Sequence, residues 1–152
     1  MKRSIIVFLV LLSQTLLLSV VPSAQSPDEP LHVEIKFNTE TSRSGNIDVD
    51  FSVRNVSDRK QEFAVMSCSY EENWTTDSSV VTVLAVHACD SNFPAPKSLE
   101  PDETYTGELT LQFQESKESR EHAFPLGFRP YRRAYSRDVS RVYWSKQLKV
   151  GG

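Results

Sequence analysis

Cys68, His87, Cys89 and Asp90 are the side chains in this sequence best suited to hold a soft metal ion or to form a covalent link. Thiolate and imidazole groups favour copper or zinc. His87 and Cys89 alternate, so on one strand both would face the same side. A closed zinc site wants four ligands, and the chain has no C-x-x-C or H-x-x-x-H pair. A disulfide is the simpler chemistry, because two cysteines allow a single pairing. An antiparallel hairpin places Cys68 opposite Cys89 if it turns at Asp77-Ser78-Ser79-Val80, a polar cluster suited to a turn. In that register Ala64, Met66, Cys68 and Tyr70 share a mostly apolar face with Val81, Val83, Ala85 and Cys89. The expectation is a Cys68–Cys89 disulfide across a hairpin, with no metal and no cofactor.

Binding chemistry concentrates near the C-terminus, in RPYRRAYSRDVSR at residues 129–141. Tyr131 and Tyr135 stand there among Arg132, Arg133 and Arg137. Tyrosine and arginine are enriched where interfaces concentrate their energy, and arginine forks match anionic groups. Charge is uneven along the chain. Residues 27–128 hold 8 Lys/Arg against 19 Asp/Glu, and residues 129–152 hold 7 Lys/Arg against one Asp. The tail either neutralises the acidic body of its own domain or meets an anionic partner. Trp74, near the tip of the expected hairpin, is a second contact candidate, whereas Trp144 is expected in the core.

Catalytic signatures are missing. There is no G-x-S-x-G elbow, and a paired cysteine is no nucleophile. His32 and His122 have no partner identifiable from the sequence. Glu71-Glu72 and Asp102-Glu103 are adjacent carboxylates that would point apart, as in solvated turns, and would not flank one substrate bond. Asn55-Val56-Ser57 and Asn73-Trp74-Thr75 match the N-glycosylation sequon.

These residues need a scaffold. Lys2 and Arg3 followed by two apolar runs and Val21-Pro22-Ser23-Ala24 read as an export signal over residues 1–24. Residues 25–30 read as a linker, and residues 31–152 as one β domain. Export makes a disulfide permissible and leaves no membrane span after cleavage. Leu31, Val33, Ile35 and Phe37 alternate with polar residues, as do Ile47, Val49, Phe51 and Val53, and later Leu109, Leu111 and Phe113. Phe63 and Val65 open a strand leading into the cysteine hairpin. Phe124, Leu126 and Phe128 form another, broken or bulged at Pro125. Residues 90–104, with Pro94, Pro96 and Pro101, read as a long connection. Val142, Trp144, Leu148 and Val150 close the chain as a strand interrupted at Lys146. About seven strands without helices argue an all-β, immunoglobulin-like sandwich of two sheets.

Val53-Arg54-Asn55-Val56-Ser57 at a strand end, with Leu99-Glu100-Pro101-Asp102-Glu103-Thr104 before a later strand, resembles bacterial immunoglobulin-like sandwich domains. The intracellular proteinase inhibitor family of bacilli is one example. The resemblance covers roughly residues 47–113 and implies the sandwich fold. Its motifs encode turns, so no reactive-site residue is carried over. The expected function is an exported, non-catalytic module that binds a protein or an anionic surface polymer through loop 130–140 and the region of Trp74. A periplasmic metal-binding protein and a proteinase inhibitor are the alternatives. Nothing points to nucleic acid, and the sequence leaves the oligomeric state open.

Overall fold

The computed structural model describes residues 29–38, 46–87, 89–114 and 122–150, apart from the side chains of His122 and Val150. The expected signal at 1–24 and most of the linker lie outside the described residues. In chain order the strands are β1 (Leu31–Phe37), β2 (Asn46–Asn55), β3 (Gln61–Met66), β4 (Trp74–Thr76), β5 (Val81–Leu84), β6 (Pro94–Leu99), β7 (Thr104–Phe113), β8 (His122–Phe124), β9 (Leu126–Phe128), β10 (Tyr143–Trp144) and β11 (Leu148–Val150). A 3-10 turn at Tyr70–Asn73 is the sole helical element among the described residues. None of their helices is long and apolar enough to cross a membrane.

The protein is all-β with several antiparallel sheets. The largest has the order β1-β2-β7-β5, and three smaller ones are β10-β9-β4, β11-β8 and β3-β6. Alternation explains the large sheet: Val49, Phe51 and Val53 are buried, whereas Asp50 and Arg54 are exposed. Its inner face packs on the smaller sheets. The Phe51 ring lies 4.6 Å from Trp74, and Trp74 lies 5.3 Å from Phe128. Such aromatic pairs add about 0.5–1.5 kcal/mol beyond area burial. Gly107 is required here, since a Cβ would sit 2.7 Å from the Phe51 ring.

The two motifs of the sequence resemblance meet in space. Asn55 is fully buried. Its Nδ2 donates to the carbonyls of Leu99 (2.9 Å) and Arg59 (2.8 Å). Its Oδ1 accepts from the Ser57 N–H (3.0 Å) and hydroxyl (2.7 Å). The Asn55 N–H donates to the Glu103 carbonyl, and the Asp102 N–H donates to the Asn55 carbonyl. Glu100 to Glu103 forms a turn closed by a 3.0 Å bond, with Pro101 second and Asp102 at φ 65° third. That is the proline-led turn with a left-handed third position.

The hairpin register is overturned. β3 pairs with β6, β5 pairs with β7, and β4 pairs with β9. The chain turns away just past Met66 instead of running on to residue 76. The Asn73 side-chain oxygen takes the Met66 N–H at 2.7 Å, filling the place of a ladder partner. The connection expected over 90–104 contains β6. Its prolines fit because Pro94 and Pro96 alternate, so their nitrogens face away from β3. The break at Pro125 is real and separates β8 from β9. The last strand is split around Lys146, and Leu148 beyond the split is inward, both as expected, but before the split the inward phase is shifted by one residue. Tyr143, Ser145 and Leu148 are buried, while Trp144 is 36% exposed rather than in the core. Ser145 sets that phase: its N–H donates to the Leu126 carbonyl (2.8 Å), and its hydroxyl accepts the Leu126 N–H (3.0 Å).

Candidate binding surface

Segment 129–141 is built as an ordered outgrowth of β3. Tyr131 and Ala64 exchange both backbone hydrogen bonds at 2.9 Å. Tyr131 in turn bridges Val139, and the Arg132 N–H donates to the Asp138 carbonyl at 2.8 Å. The tip is pinned to β6, because the Tyr135 N–H donates to the Pro94 carbonyl at 2.9 Å. That carbonyl points outward for the reason that tolerates proline there: its peptide groups turn away from β3.

The two tyrosines have opposite fates. Tyr131 is 7% exposed and packs with Ala64, Met66 and Val139. It is a structural anchor, which corrects its place among the contact residues. Trp74 is corrected likewise, since its pairing with Phe128 buries it to 5%. Tyr135 is 79% exposed at φ 57°. A bulky residue in the left-handed region is strained by roughly 1–2 kcal/mol. Its ring stacks on Phe93 at 5.4 Å and 13°. Phe93, itself 41% exposed, sits in the proline-rich stretch and gave no signal in the sequence.

Arg132, Arg133 and Arg137 are exposed in the same loop. Arg132 reaches only a backbone carbonyl, that of Val139 at 3.4 Å. Among the described residues no carboxylate pairs with any of the three, while Arg141 is bound to Glu29 at 2.7 Å. Neutralisation within the chain therefore takes Arg141 and leaves the tip charged. A groove of about 470 Å³ runs beside the tip, lined by Glu62, Pro96, Lys97, Ser98, Arg132 and Arg133. Lys97 also places its ammonium 4.6 Å over the Tyr105 ring.

The cysteine region holds a second polar cluster. Cys68 and Cys89 form the expected disulfide, with Cα atoms 6.3 Å apart, within the range that a bridge spans. Glu71 is not in a solvated turn; it is 3% exposed, and its Oε1 lies 2.6 Å from His87 Nδ1. The contact engages Nδ1 of the half-exposed His87 ring and leaves Nε2 as the ring nitrogen that a ligand would meet. Such an imidazole is oriented as a metal ligand or base would be. With both sulfurs bonded to each other, however, no thiolate joins it. The described residues contain no group of three or more His, Cys, Asp or Glu side chains that could hold a metal ion. Neither sequon asparagine is accessible: Asn55 and Asn73 are fully buried and hydrogen-bonded.

Beneath this cluster, burial pushes the Tyr105 phenol up to about 12, with Tyr70 and Glu71 adding to the shift. Burial, then Glu71, also raises Tyr70. A phenol that holds its proton more tightly when folded contributes stability in full below pH about 10 and loses it as pH rises through about 12. Urea midpoints should therefore hold steady to roughly pH 10 and fall steeply above it, and Tyr105→Phe should flatten the fall. An equal fall in the variant would remove Tyr105 as its cause.

No protein-family model matches the chain, and no curated protein matches it. Among solved structures it is similar to a FixG-related protein from Vibrio parahaemolyticus, with 11% identity and a TM-score of 0.40, over 80% of this chain and 96% of that one. A likeness at that level assigns neither a family nor an activity.

Proposed function

We propose that this protein is an exported, non-catalytic module, with its sheets in an immunoglobulin-like arrangement, that captures an acidic protein surface through loop 130–140. The observation that carries the reading is Tyr135: a strained aromatic held out in solvent and stacked on Phe93, in a loop whose exposed Arg132, Arg133 and Arg137 have no carboxylate partner among the described residues. Strain persists where surrounding structure over-determines it, and it clusters at functional positions. Pinning the tip to β6 also lowers the ordering cost of binding. A Cys68–Cys89 disulfide fits an oxidising compartment, in keeping with the N-terminal export pattern.

Tyr135→Gly separates strain from stability. Glycine adopts positive φ freely, so the variant should be as stable as the parent or about 1 kcal/mol more stable in urea, yet weaker in binding. Retention on immobilised poly-glutamate should be strong at low salt and lost near 0.5 M salt, where the Debye length is roughly 4 Å. Arg132→Ala/Arg133→Ala should weaken it by roughly tenfold, the equivalent of about 1.4 kcal/mol. Retention that ignores both the arginines and the salt would dismiss the loop. Retention on a sulfated polysaccharide but not on poly-glutamate would move the reading to a surface polymer.

A further inference from the structure

The outer face of the β1-β2-β7-β5 sheet has no covering layer among the described residues, and it is acidic. Glu34, Asp48, Asp50 and Glu108 project from it, with Lys36 and Arg54 as its cations. Both cations have partners: Arg54 binds Asp102 at 2.7 Å, and Lys36 lies 3.7 Å from Glu34. Asp50 and Glu108 stand directly opposite each other in the β2–β7 ladder. Like charges so placed destabilise a sheet, and neither has an ion-pair partner among the described residues. Between them lies a groove of about 330 Å³, lined by Glu34, Asp50, Ser52, Thr106 and Glu108 and by one cation, Lys36, which is opposite Asp50 in the β1–β2 ladder.

The basic tip is the counterpart of this groove. It carries one projecting aromatic stack in a loop whose Arg132, Arg133 and Arg137 have no carboxylate partner among the described residues, and the sheet carries one shallow recess that holds the facing Asp50 and Glu108 beside the Lys36–Glu34 pair. The tip hydrogen-bonds to β3 and β6, which pack against the inner face of the large sheet. A chain's tip is thus tied to the layer behind its own acidic face, and a second molecule can bring a tip to that face.

We propose that the acidic sheet face is the docking site for loop 130–140 of a second copy of this chain, with Tyr135 entering the groove and Arg132 and Arg133 meeting Asp50 and Glu108. This rests on the loop reading above and names its acidic partner. The contact is head-to-tail, so a pair of copies keeps one free loop and one free face, and growth stays open unless the rotation closes a ring. The facing carboxylates, unfavourable in the single chain, are neutralised by the arriving guanidinium groups.

The test is sedimentation velocity on the purified protein at low salt and near 0.5 M salt. The parent should associate at low salt with a concentration-dependent sedimentation coefficient and dissociate at high salt. Arg132→Glu/Arg133→Glu removes the loop half, and Asp50→Lys/Glu108→Lys removes the face half. All four positions are exposed, and an unchanged far-ultraviolet circular dichroism spectrum checks each fold. Each variant alone should be monomeric. Mixed, they should form a one-to-one dimer and nothing larger, because each retains the half that the other lacks. A parent that stays monomeric at low salt up to roughly 100 µM, some hundredfold above a micromolar Kd, overturns the proposal, as does a mixture that stays monomeric. A monomeric parent that still holds poly-glutamate sinks self-association alone, whereas loss of both sinks the loop reading with it.

Discussion

Asn55→Ala is expected to cost about 3 kcal/mol in urea unfolding and to lower the melting temperature by roughly 10 °C. The side chain is fully buried and makes four hydrogen bonds, two given to the Leu99 and Arg59 carbonyls and two accepted from Ser57. A net bond contributes about 1 kcal/mol, and a stranded buried acceptor costs about 1–3 kcal/mol. The Leu99 carbonyl is the acceptor left stranded. Asn55→Asp should also destabilise, since a carboxylate cannot donate to two carbonyls. Val56→Ala next door, at an exposed position, should change stability by less than about 0.5 kcal/mol. A loss below about 1 kcal/mol for Asn55→Ala would mean that the 99–104 turn is held by its backbone alone.

That residue shows what was legible in the sequence. The two turn motifs could be read separately, because Pro101 and the Asn-x-Ser cluster have local preferences. Their docking on each other appears only when β2 and β7 pair. The strands β1, β2 and β7 were legible because alternation is local, and Pro125 because a missing donor must break a ladder. The region 66–90 was not legible. A side chain, Asn73, replaces a backbone partner there, and the apolar alternation of Val81 and Val83 fits β7 as well as it fits β3. Trp144 was misplaced because the core takes Ser145, a small residue that pays for its polarity with two bonds to Leu126.

The candidate surface was half legible for a related reason. Composition marked residues 129–141 as basic and aromatic, yet it could not rank two tyrosines four positions apart. A backbone bridge to Ala64 buries one, and a bond to the Pro94 carbonyl holds the other outward. Phe93 carried no sequence signal, and Glu71 carried only that of a solvated carboxylate pair, whereas it is buried. The first is defined by the ring laid upon it, the second by the imidazole of His87 across the disulfide-joined segments.

Cys68→Ser/Cys89→Ser should cost about 3 kcal/mol for a closed loop of roughly 20 residues. The loss should appear without any change in sheet content. Had the cysteines lain on paired strands, removing the bridge would have loosened a ladder. Here no ladder joins their segments: β3 is held by β6 and by Tyr131, and β5 by β7. The bridge therefore acts mainly by restricting the unfolded chain, and locally by holding His87 and Cys89 against the 3-10 turn. That segment keeps other ties. The Ser69 hydroxyl donates to the His87 carbonyl at 2.6 Å, Glu71 holds the His87 ring, and Asn92 Oδ1 accepts the Cys68 N–H at 3.2 Å. Hydrogen exchange should accordingly quicken over residues 85–92 under native conditions and stay slow in β3, β5 and β7. The global loss should appear as a lower urea midpoint with nearly native circular dichroism before the transition. Exchange that quickens throughout β3 and β6 would show instead that the bridge braces the ladder itself, and that staple and pairing are not separable.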